Sequence, residues 1–385
     1  MTMKSEPVKI GFIFNQSLFL GGGEHSLFLL IAGLRHSAFE PVGIVPGEGE
    51  ILERLKAHGV PTAVCPLGSL RRGVGASFFR DVKTLARAAR DRGIGIIHAN
   101  GSRACLYGGI VGRAVGIPVV WHVRETIRDH FFYDGLLALL ATRVVCASQA
   151  IVQERFGRFG ARFGKKTSVV HNGVVPAELQ RDGHKRAAIR AELGLGENDA
   201  LMGMLGNFIP LKGHEFLIQG MAAAFKLNPR AGLKLLCIGR IVDPDYHRRV
   251  LALVREQGLE ERVIFREYTT DVAGMLSAAD IFVLPSQREG FSRSLLEAMA
   301  MGLPVIATRI AAIAEAVEDQ TGGMLVEDGD VAALAQAILA LCGSADLRKR
   351  MGERNRERVQ QRFTADIHQK AIENLYATLL RRDVN

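Results

Sequence analysis

The stretch "ADIFVLPSQREGFSRSLLEAMAMGLPVIAT", Ala279 to Thr308, decides the fold. Its first apolar run, Ile281–Pro285, and its last, Val305–Thr308, are short and carry no polar alternation. Runs of that kind suit strands buried on both faces of a parallel sheet. Between them lies an alanine- and leucine-rich segment that reads as a helix. The unit is strand, loop, helix, strand. Its loop holds Glu289 beside Gly290, and its helix holds a second carboxylate, Glu297, eight positions later.

The same unit recurs along the chain. In the first half, strands are predicted at Val8–Asn15, Glu40–Val45, Thr62–Cys65, Ile94–Ala99, Pro118–His122, Arg143–Ala147 and Thr167–His171. Helices are predicted at Glu24–Leu34, Glu50–His58, Phe78–Arg92 and Ser102–Val115. The second half restarts with strands at Leu201–Gly206, Leu233–Ile238, Arg262–Phe265, Ile281–Pro285, Val305–Thr308 and Gly323–Val326. Alternation of this kind means parallel sheets with helices on both faces. A chain of 385 residues exceeds one ordinary core, so two domains are expected. The polar segment 175–200, "VPAELQRDGHKRAAIRAELGLGENDA", reads as a hinge region between them.

Composition narrows the class. Hydrophobic content of 48% is globular. The opening "VKIGFIFN" is strand-like and leads to a glycine turn, unlike a signal peptide, so a cytoplasmic location is expected. Five cysteines without C-x-x-C spacing point to reduced thiols and against a zinc site. The net charge of +9 is uneven: residues 1–178 hold 22 Lys/Arg against 13 Asp/Glu, and the remainder balances. That bias suggests an anionic partner for the first half.

Candidate functional residues cluster at strand ends, where ligands of such sheets bind. "GGGEHSLFLL" places Gly22, Gly23 and Glu24 at a strand-to-helix turn; it reads equally as an anion-binding turn or a plain tight turn. His98 and Asn100 end one strand, and His122 ends another beside Arg124 and Glu125. Asn172-Gly173 is a turn signal first. In the second half Lys212 is a cation suited to phosphate, and Arg240 follows the next strand. Ser294-Leu-Leu-Glu297 fits a capping box, in which Glu297 would bond only its own helix start. Glu289 has no such structural role. Two carboxylates reading hydroxyls, with helix-start N–H groups between them, describe a site for a sugar nucleotide.

With these residues in place, the chain resembles glycosyltransferase family four, the retaining family of the GT-B fold. The stretch Ala279–Asp330 resembles its E-x7-E block almost position by position. "GGGEH", "WHVRE", "VCASQAI", "VVHNGV" and "LKGHEFLIQG" add weaker matches, and "RFTADIHQKAIENLYATLL" resembles its C-terminal helix. The resemblance implies two Rossmann-like domains facing across a cleft. Residues 1–178 would bind the acceptor and residues 179–363 the nucleotide-sugar donor, with a helix over 364–385 returning to the first domain.

The resemblance also implies roles. Glu297 would bind ribose hydroxyls and Glu289 the donor sugar's hydroxyls. Amides around Phe291, Ser294 and Leu295 would hold the diphosphate with Lys212. Gly22 and Gly23 would close over the donor, and His122 would lie beside the reacting sugar. No metal or other cofactor is implied, only a UDP- or GDP-sugar as substrate. Two departures stand out: Asn207 replaces the family's usual arginine, with Arg240 as a substitute, and alanines follow Thr308 where relatives carry a Gly-Gly pair.

The acceptor is expected among anionic or lipid-linked glycans, as in cell-surface polysaccharide, lipopolysaccharide or glycolipid synthesis. Glu24, His98, Asn100 and Arg124 are its candidate contacts. Arg80, Lys83, Arg87 and Arg90 recur at helical spacing, and "RFGRFGARFGKK" (Arg155 to Lys166) interleaves cations with aromatics. Such patterns suit peripheral contact with an anionic membrane. The plain alternative is a solvated helix face and a loop. No nucleic-acid module accompanies the charge, so no nucleic-acid partner is expected. The rival functional reading is a nucleotide-sugar binder of the same fold without turnover.

Overall fold

A computed structural model describes residues 6–19, 21–34, 37–68, 75–126, 131–159, 161–196 and 199–381. The chain divides into two compact units, Met1–Asn172 with Ala365–Asn385, and Gly173–Thr364. The divisions fall at 172/173 and 364/365, where the sequence reading placed them at 178/179 and 363/364.

Unit 1 holds seven parallel strands: β1 (Val8–Ile13), β2 (Phe39–Val45), β3 (Thr62–Val64), β4 (Ile94–Asn100), β5 (Val119–Val123), β6 (Arg143–Cys146) and β7 (Thr167–Val169). Their order in the sheet is β3-β2-β1-β4-β5-β6-β7. β5 is buried along its whole length and β4 at all but Gly95 and Asn100, as the apolar runs of inner parallel strands require. Order reverses between β1 and β4, so the loops after these strands diverge and leave a crevice at their carboxyl ends. The helix Ala365–Arg381 belongs to this unit. It packs Ile372, Tyr376 and Leu379 into the same core as Phe12, Leu30 and Val145.

Unit 2 repeats the scheme with β8 (Ala200–Leu205), β9 (Leu233–Ile238), β10 (Val263–Arg266), β11 (Ile281–Leu284), β12 (Val305–Thr308) and β13 (Gly323–Val326). The order is β10-β9-β8-β11-β12-β13, reversing between β8 and β11. Two glycines set how closely the strand ends approach. A Cβ on Gly239 would lie 1.9 Å from the Gly206 carbonyl oxygen, so only glycine lets the ends of β8 and β9 meet. Gly213 has φ +72°, and a Cβ there would lie 1.9 Å from the Pro285 oxygen. That contact presses the loop after β8 onto the end of β11.

One expectation about organisation changes. The segment 175–200 is part of unit 2: its helix Gly183–Glu192 donates from Arg186 to Asp280 at 2.6 Å and from Arg190 to Asp280 at 2.8 Å. The Asp182 amide also donates to Ser277 Oγ at 3.0 Å. Polar composition suggested a hinge, but the charges are spent on a fixed partner. All five cysteines are free thiols, four of them buried. Among the described residues no single helix is long and apolar enough to cross a membrane.

Candidate active site

In unit 2 the β8 and β11 loops converge at the reversal of strand order. After β8 the chain passes Gly206 and Asn207 and makes a short turn, Pro210–Lys212. The Lys212 stem lies over Gly206, where a Cβ would meet its Cδ at 3.5 Å. The Gln287 amide donates to the Leu211 carbonyl at 2.9 Å, tying the two loops together. This places Lys212 Nζ 2.6 Å from Glu289 Oε1, both side chains mostly buried. The sequence singled out both residues but not their pairing.

Glu297 takes a different place from the capping box. The helix is Arg293–Ala300, and its N-cap is Ser292, whose Oγ accepts from the Leu295 amide at 3.4 Å. Ser294 lies inside the helix, and its hydroxyl donates to the Leu205 carbonyl at 3.4 Å. Glu297 is therefore one turn in, too far along to reach its own helix start. Its Oε1 accepts instead from Arg293 Nε at 2.6 Å. Burial pushes the Glu297 carboxyl above its ordinary value, and the Arg293 charge works against that shift. Arg293 Nη1 is buried without a partner. The sequence reading missed Arg293, although its (i, i+4) spacing from Glu297 was a usable signal.

Arg240 is exposed, with its guanidinium over the Tyr268 ring at 4.6 Å. Phe291 is buried against Phe363, at 5.4 Å between ring centroids.

Unit 1 gathers a second set of residues at the ends of β4 and β5. Arg124 Nε donates to Asn100 Oδ1 at 3.0 Å, Nη1 to Asn172 Oδ1 at 2.5 Å, and Nη2 to His122 Nδ1 at 3.2 Å. His98 bridges His122 Nδ1 at 3.1 Å and the Tyr376 hydroxyl at 2.6 Å.

These contacts fix the proton positions. A guanidinium only donates, so His122 Nδ1 is the acceptor. His98 Nε2–H then donates to that nitrogen, and His98 Nδ1 accepts from Tyr376. Burial foremost, then the Arg124 charge, holds both imidazoles well below their usual pKa, so they are neutral. Burial holds the Tyr376 phenol well above its usual value, so it keeps its proton. His122 must then carry its proton on Nε2, a buried nitrogen with no partner. The chain Tyr376 → His98 → His122 thus ends in one buried N–H group without a partner among the described residues.

Arg124, pushed down to about 10 by burial, stays charged at neutral pH. His368 stacks on His122 with ring centroids 6.0 Å apart and donates from Nδ1 to the His171 carbonyl at 2.7 Å. Tyr376 and His368 were not singled out from the sequence.

The glycine turn differs from expectation. Gly22 and Gly23 begin the helix Gly22–Leu34 and do not precede it. Glu24 accepts from the Gly21 amide at 3.1 Å and from Gln16 Nε2 at 2.8 Å, so both of its oxygens serve the turn itself. Among the described residues no group of three or more His, Cys, Asp or Glu side chains could hold a metal ion.

Two parallel α/β sheets, each with a polar cluster at the carboxyl ends of its strands, are the architecture of the GT-B fold. The comparisons agree. Residues 20–178 match the model "Glycosyltransferase Family 4" and residues 199–344 match "Glycosyl transferases group 1". The chain belongs to the family four glycosyltransferases.

It is 32% identical to N-acetyl-alpha-D-glucosaminyl L-malate synthase of Bacillus anthracis, over 51% of this chain and 50% of that protein. It is 25% identical to the capsular polysaccharide biosynthesis glycosyltransferase CapM of Staphylococcus aureus, over 88% of this chain and 90% of that protein. Among solved structures, Anabaena HepE in complex with UDP and glucose superposes with a TM-score of 0.83. It is 24% identical, over 96% of this chain and 99% of that one. The chain thus spans about half the length of the first of these relatives and nearly all of the other two.

Proposed function

We propose that the chain moves a sugar from a nucleotide-diphosphate sugar to an acceptor hydroxyl, with retention at the anomeric carbon and without a metal ion. The observation that carries this reading is the Lys212–Glu289 pair at the strand-order reversal of unit 2, with Glu297 buried one turn into the following helix. Each partner offers what a sugar nucleotide needs. Lys212 would transfer its charge from Glu289 to the diphosphate, and Glu289, released, would accept from sugar hydroxyls. Glu297 would accept from ribose hydroxyls. The start of the Arg293–Ala300 helix presents its positive dipole end to the phosphates.

In the transfer step the acceptor hydroxyl oxygen bonds to the anomeric carbon as the bond to the β-phosphate oxygen breaks. That phosphate oxygen takes the hydroxyl proton. Lys212 and the helix start stabilise the charge that grows on the leaving diphosphate. In unit 1 the His122 Nε2–H would suit a hydroxyl oxygen, and the +9 excess of residues 1–178 favours an anionic or lipid-linked glycan acceptor. Glycan assembly in the cytoplasm is the setting this chemistry suits; CapM is named for capsular polysaccharide biosynthesis.

The test is incubation with UDP- and GDP-hexoses and lipid-linked glycan acceptors in EDTA. Product carrying the donor's anomeric configuration by NMR supports the reading; inversion or a metal requirement refutes it. One observation favours a second reading, a binder without turnover: Asn207 stands where family resemblance places an arginine, and Arg240 rests on Tyr268. Nucleotide binding with no transfer to any acceptor would favour that reading.

A further inference from the structure

The helix Phe131–Leu140 of unit 1 is packed with its polarity inverted. Its acidic residue, Asp134, is fully buried and ion-paired with buried Arg155, whose Nε donates to Oδ2 at 3.2 Å. Leu137 and Ala138 are buried on the same side. The opposite face carries Phe132, Leu136 and Leu139, which are 77%, 46% and 42% exposed. Their i, i+4, i+7 spacing makes one continuous row along the helix, about 10 Å long at 1.5 Å per residue. No other described helix exposes more than one large apolar side chain. The buried ion pair fixes this orientation, because turning the row inward would expose Leu137 and Ala138 and strand Arg155 without its Asp134 partner.

The row ends at a cationic cavity of about 480 Å³. Leu139 and Leu140 form one wall, and Arg113, Arg143, Lys165 and Lys166 supply its charge; no acidic side chain lines it. Arg113 Nη2 donates to the Leu139 carbonyl at 2.6 Å, Lys166 Nζ to the Ala141 carbonyl at 3.1 Å, and Arg143 to the Lys165 carbonyl. Backbone carbonyls thus hold the cations around one space. Burial first, then the Arg113 and Arg143 charges, pushes the Lys166 ammonium below its ordinary value, a repulsion that an anion would relieve.

We propose that this face docks on an anionic phospholipid bilayer, with a lipid phosphate in the Arg113–Arg143–Lys165–Lys166 cavity and the Phe132–Leu136–Leu139 row in the acyl boundary. A helix lying in the membrane plane needs an apolar row of this kind, and adjoining cations add attraction to anionic headgroups. The helix Ala76–Asp91 also exposes Arg80, Lys83, Arg87 and Arg90, but only Phe79 beside them. Of the expected "RFGRFGARFGKK" surface, Gly160 and the side chains of Ala161 and Arg162 lie outside the described residues, and Arg155 is buried. The docking inference does not depend on the sugar-transfer reading.

The test is co-sedimentation of the full chain with vesicles of phosphatidylcholine alone or mixed equally with phosphatidylglycerol. Binding only to the mixed vesicles is expected, weakening as salt rises from about 50 to about 500 mM. Lys165→Ala/Lys166→Ala should weaken it about twenty-fivefold, about fivefold per cation. Phe132→Ser/Leu136→Ser should weaken it about tenfold or more with charge unchanged. All four positions line a surface or open cavity, and circular dichroism melting checks that the variants fold. Equal binding to phosphatidylcholine alone would overturn the proposal. So would wild-type binding by both double variants, or loss only in Arg80→Ala/Arg87→Ala. A dimer dissolved by Phe132→Ser/Leu136→Ser, without vesicle binding, would show that a second copy covers the row, and would also overturn it.

Discussion

The two polar clusters both lie at the carboxyl ends of parallel strands, and they are built from opposite chemistry. That of unit 2 sits at the strand-order reversal between β8 and β11, and that of unit 1 one strand pair over, at β4 and β5. Unit 2 pairs full charges, Lys212 with Glu289 and Glu297 with Arg293. Unit 1 surrounds one cation, Arg124, with neutral imidazoles, amide oxygens and a phenol whose protons all run one way. Pairs of charges exchange readily for a ligand that offers an anion to the cation and hydroxyl donors to the carboxylate, as a diphosphate sugar does. A neutral relay offers a single fixed donor and does not exchange. The first arrangement suits binding and release of a charged donor; the second suits orienting one hydroxyl.

The comparison breaks most sharply at Glu289. Glu289→Gln should lower kcat by about 10²- to 10³-fold, the scale of losing one transition-state contact, while UDP or GDP affinity changes little. Full activity in that variant, measured by product formation, would remove Glu289 from the site. In unit 1, His122→Ala should cost about ten- to a hundredfold in kcat/KM through the lost N–H donor. His122→Asn, which keeps an N–H group, should recover part of that loss. Equal losses in the two variants would reduce His122 to a packing role.

The third contrast is in acid stability. A histidine whose folded pKa lies below 6.5 binds fewer protons folded than unfolded, so its stabilising contribution is complete above 6.5 and lost as pH falls. His98, His122 and His368, the last held at about 4 by burial, all act in that direction in unit 1; unit 2 has one clear counterpart, His214, also at about 4. Each can cost up to about 1.4 kcal/mol per pH unit. Calorimetric melting between pH 6.5 and 4.5 should therefore show unit 1 losing stability faster than unit 2. Equal loss would contradict the neutral relay.

Smaller effects sharpen the picture. Tyr376→Phe leaves His98 Nδ1 without its donor and should cost about 1–3 kcal/mol of stability in denaturant titration. Its kcat should stay close to wild type, because Arg124 still holds the His122 tautomer. Arg293→Met removes the charge that restrains the Glu297 carboxyl, whose folded pKa is already raised. Loss of nucleotide affinity on acidification should then begin at a higher pH than in wild type. An unchanged acid limb would show that Glu297 does not contact the nucleotide.

Much of this was legible in the sequence, for physical reasons that differ by element. Buried parallel strands are short apolar runs, so "IFVL", "VIAT" and "IGIIHAN" announced themselves, and Lys212 and Glu289 followed as polar residues at strand ends. The cap of the Arg293–Ala300 helix was misread because Ser292 and Ser294 are equally good caps by type, and only backbone geometry separates them. The segment 175–200 misled because its arginines look solvated until Asp280, far along the chain, is brought beside them. Tyr376 gave no signal at all. It meets His98 only because the last helix packs into the first unit, 278 residues away in sequence.

The central claim is that unit 2 binds a nucleoside diphosphate without a metal, through Lys212 and Glu297. Calorimetric titration of the wild-type chain with UDP, GDP and ADP in excess EDTA tests it most directly, with Glu297→Ala and Glu289→Gln run alongside. The account predicts that one nucleotide binds preferentially, that Glu297→Ala weakens it about tenfold or more, and that Glu289→Gln binds it like wild type. No binding of any nucleotide, or equal weakening by both variants, would contradict it.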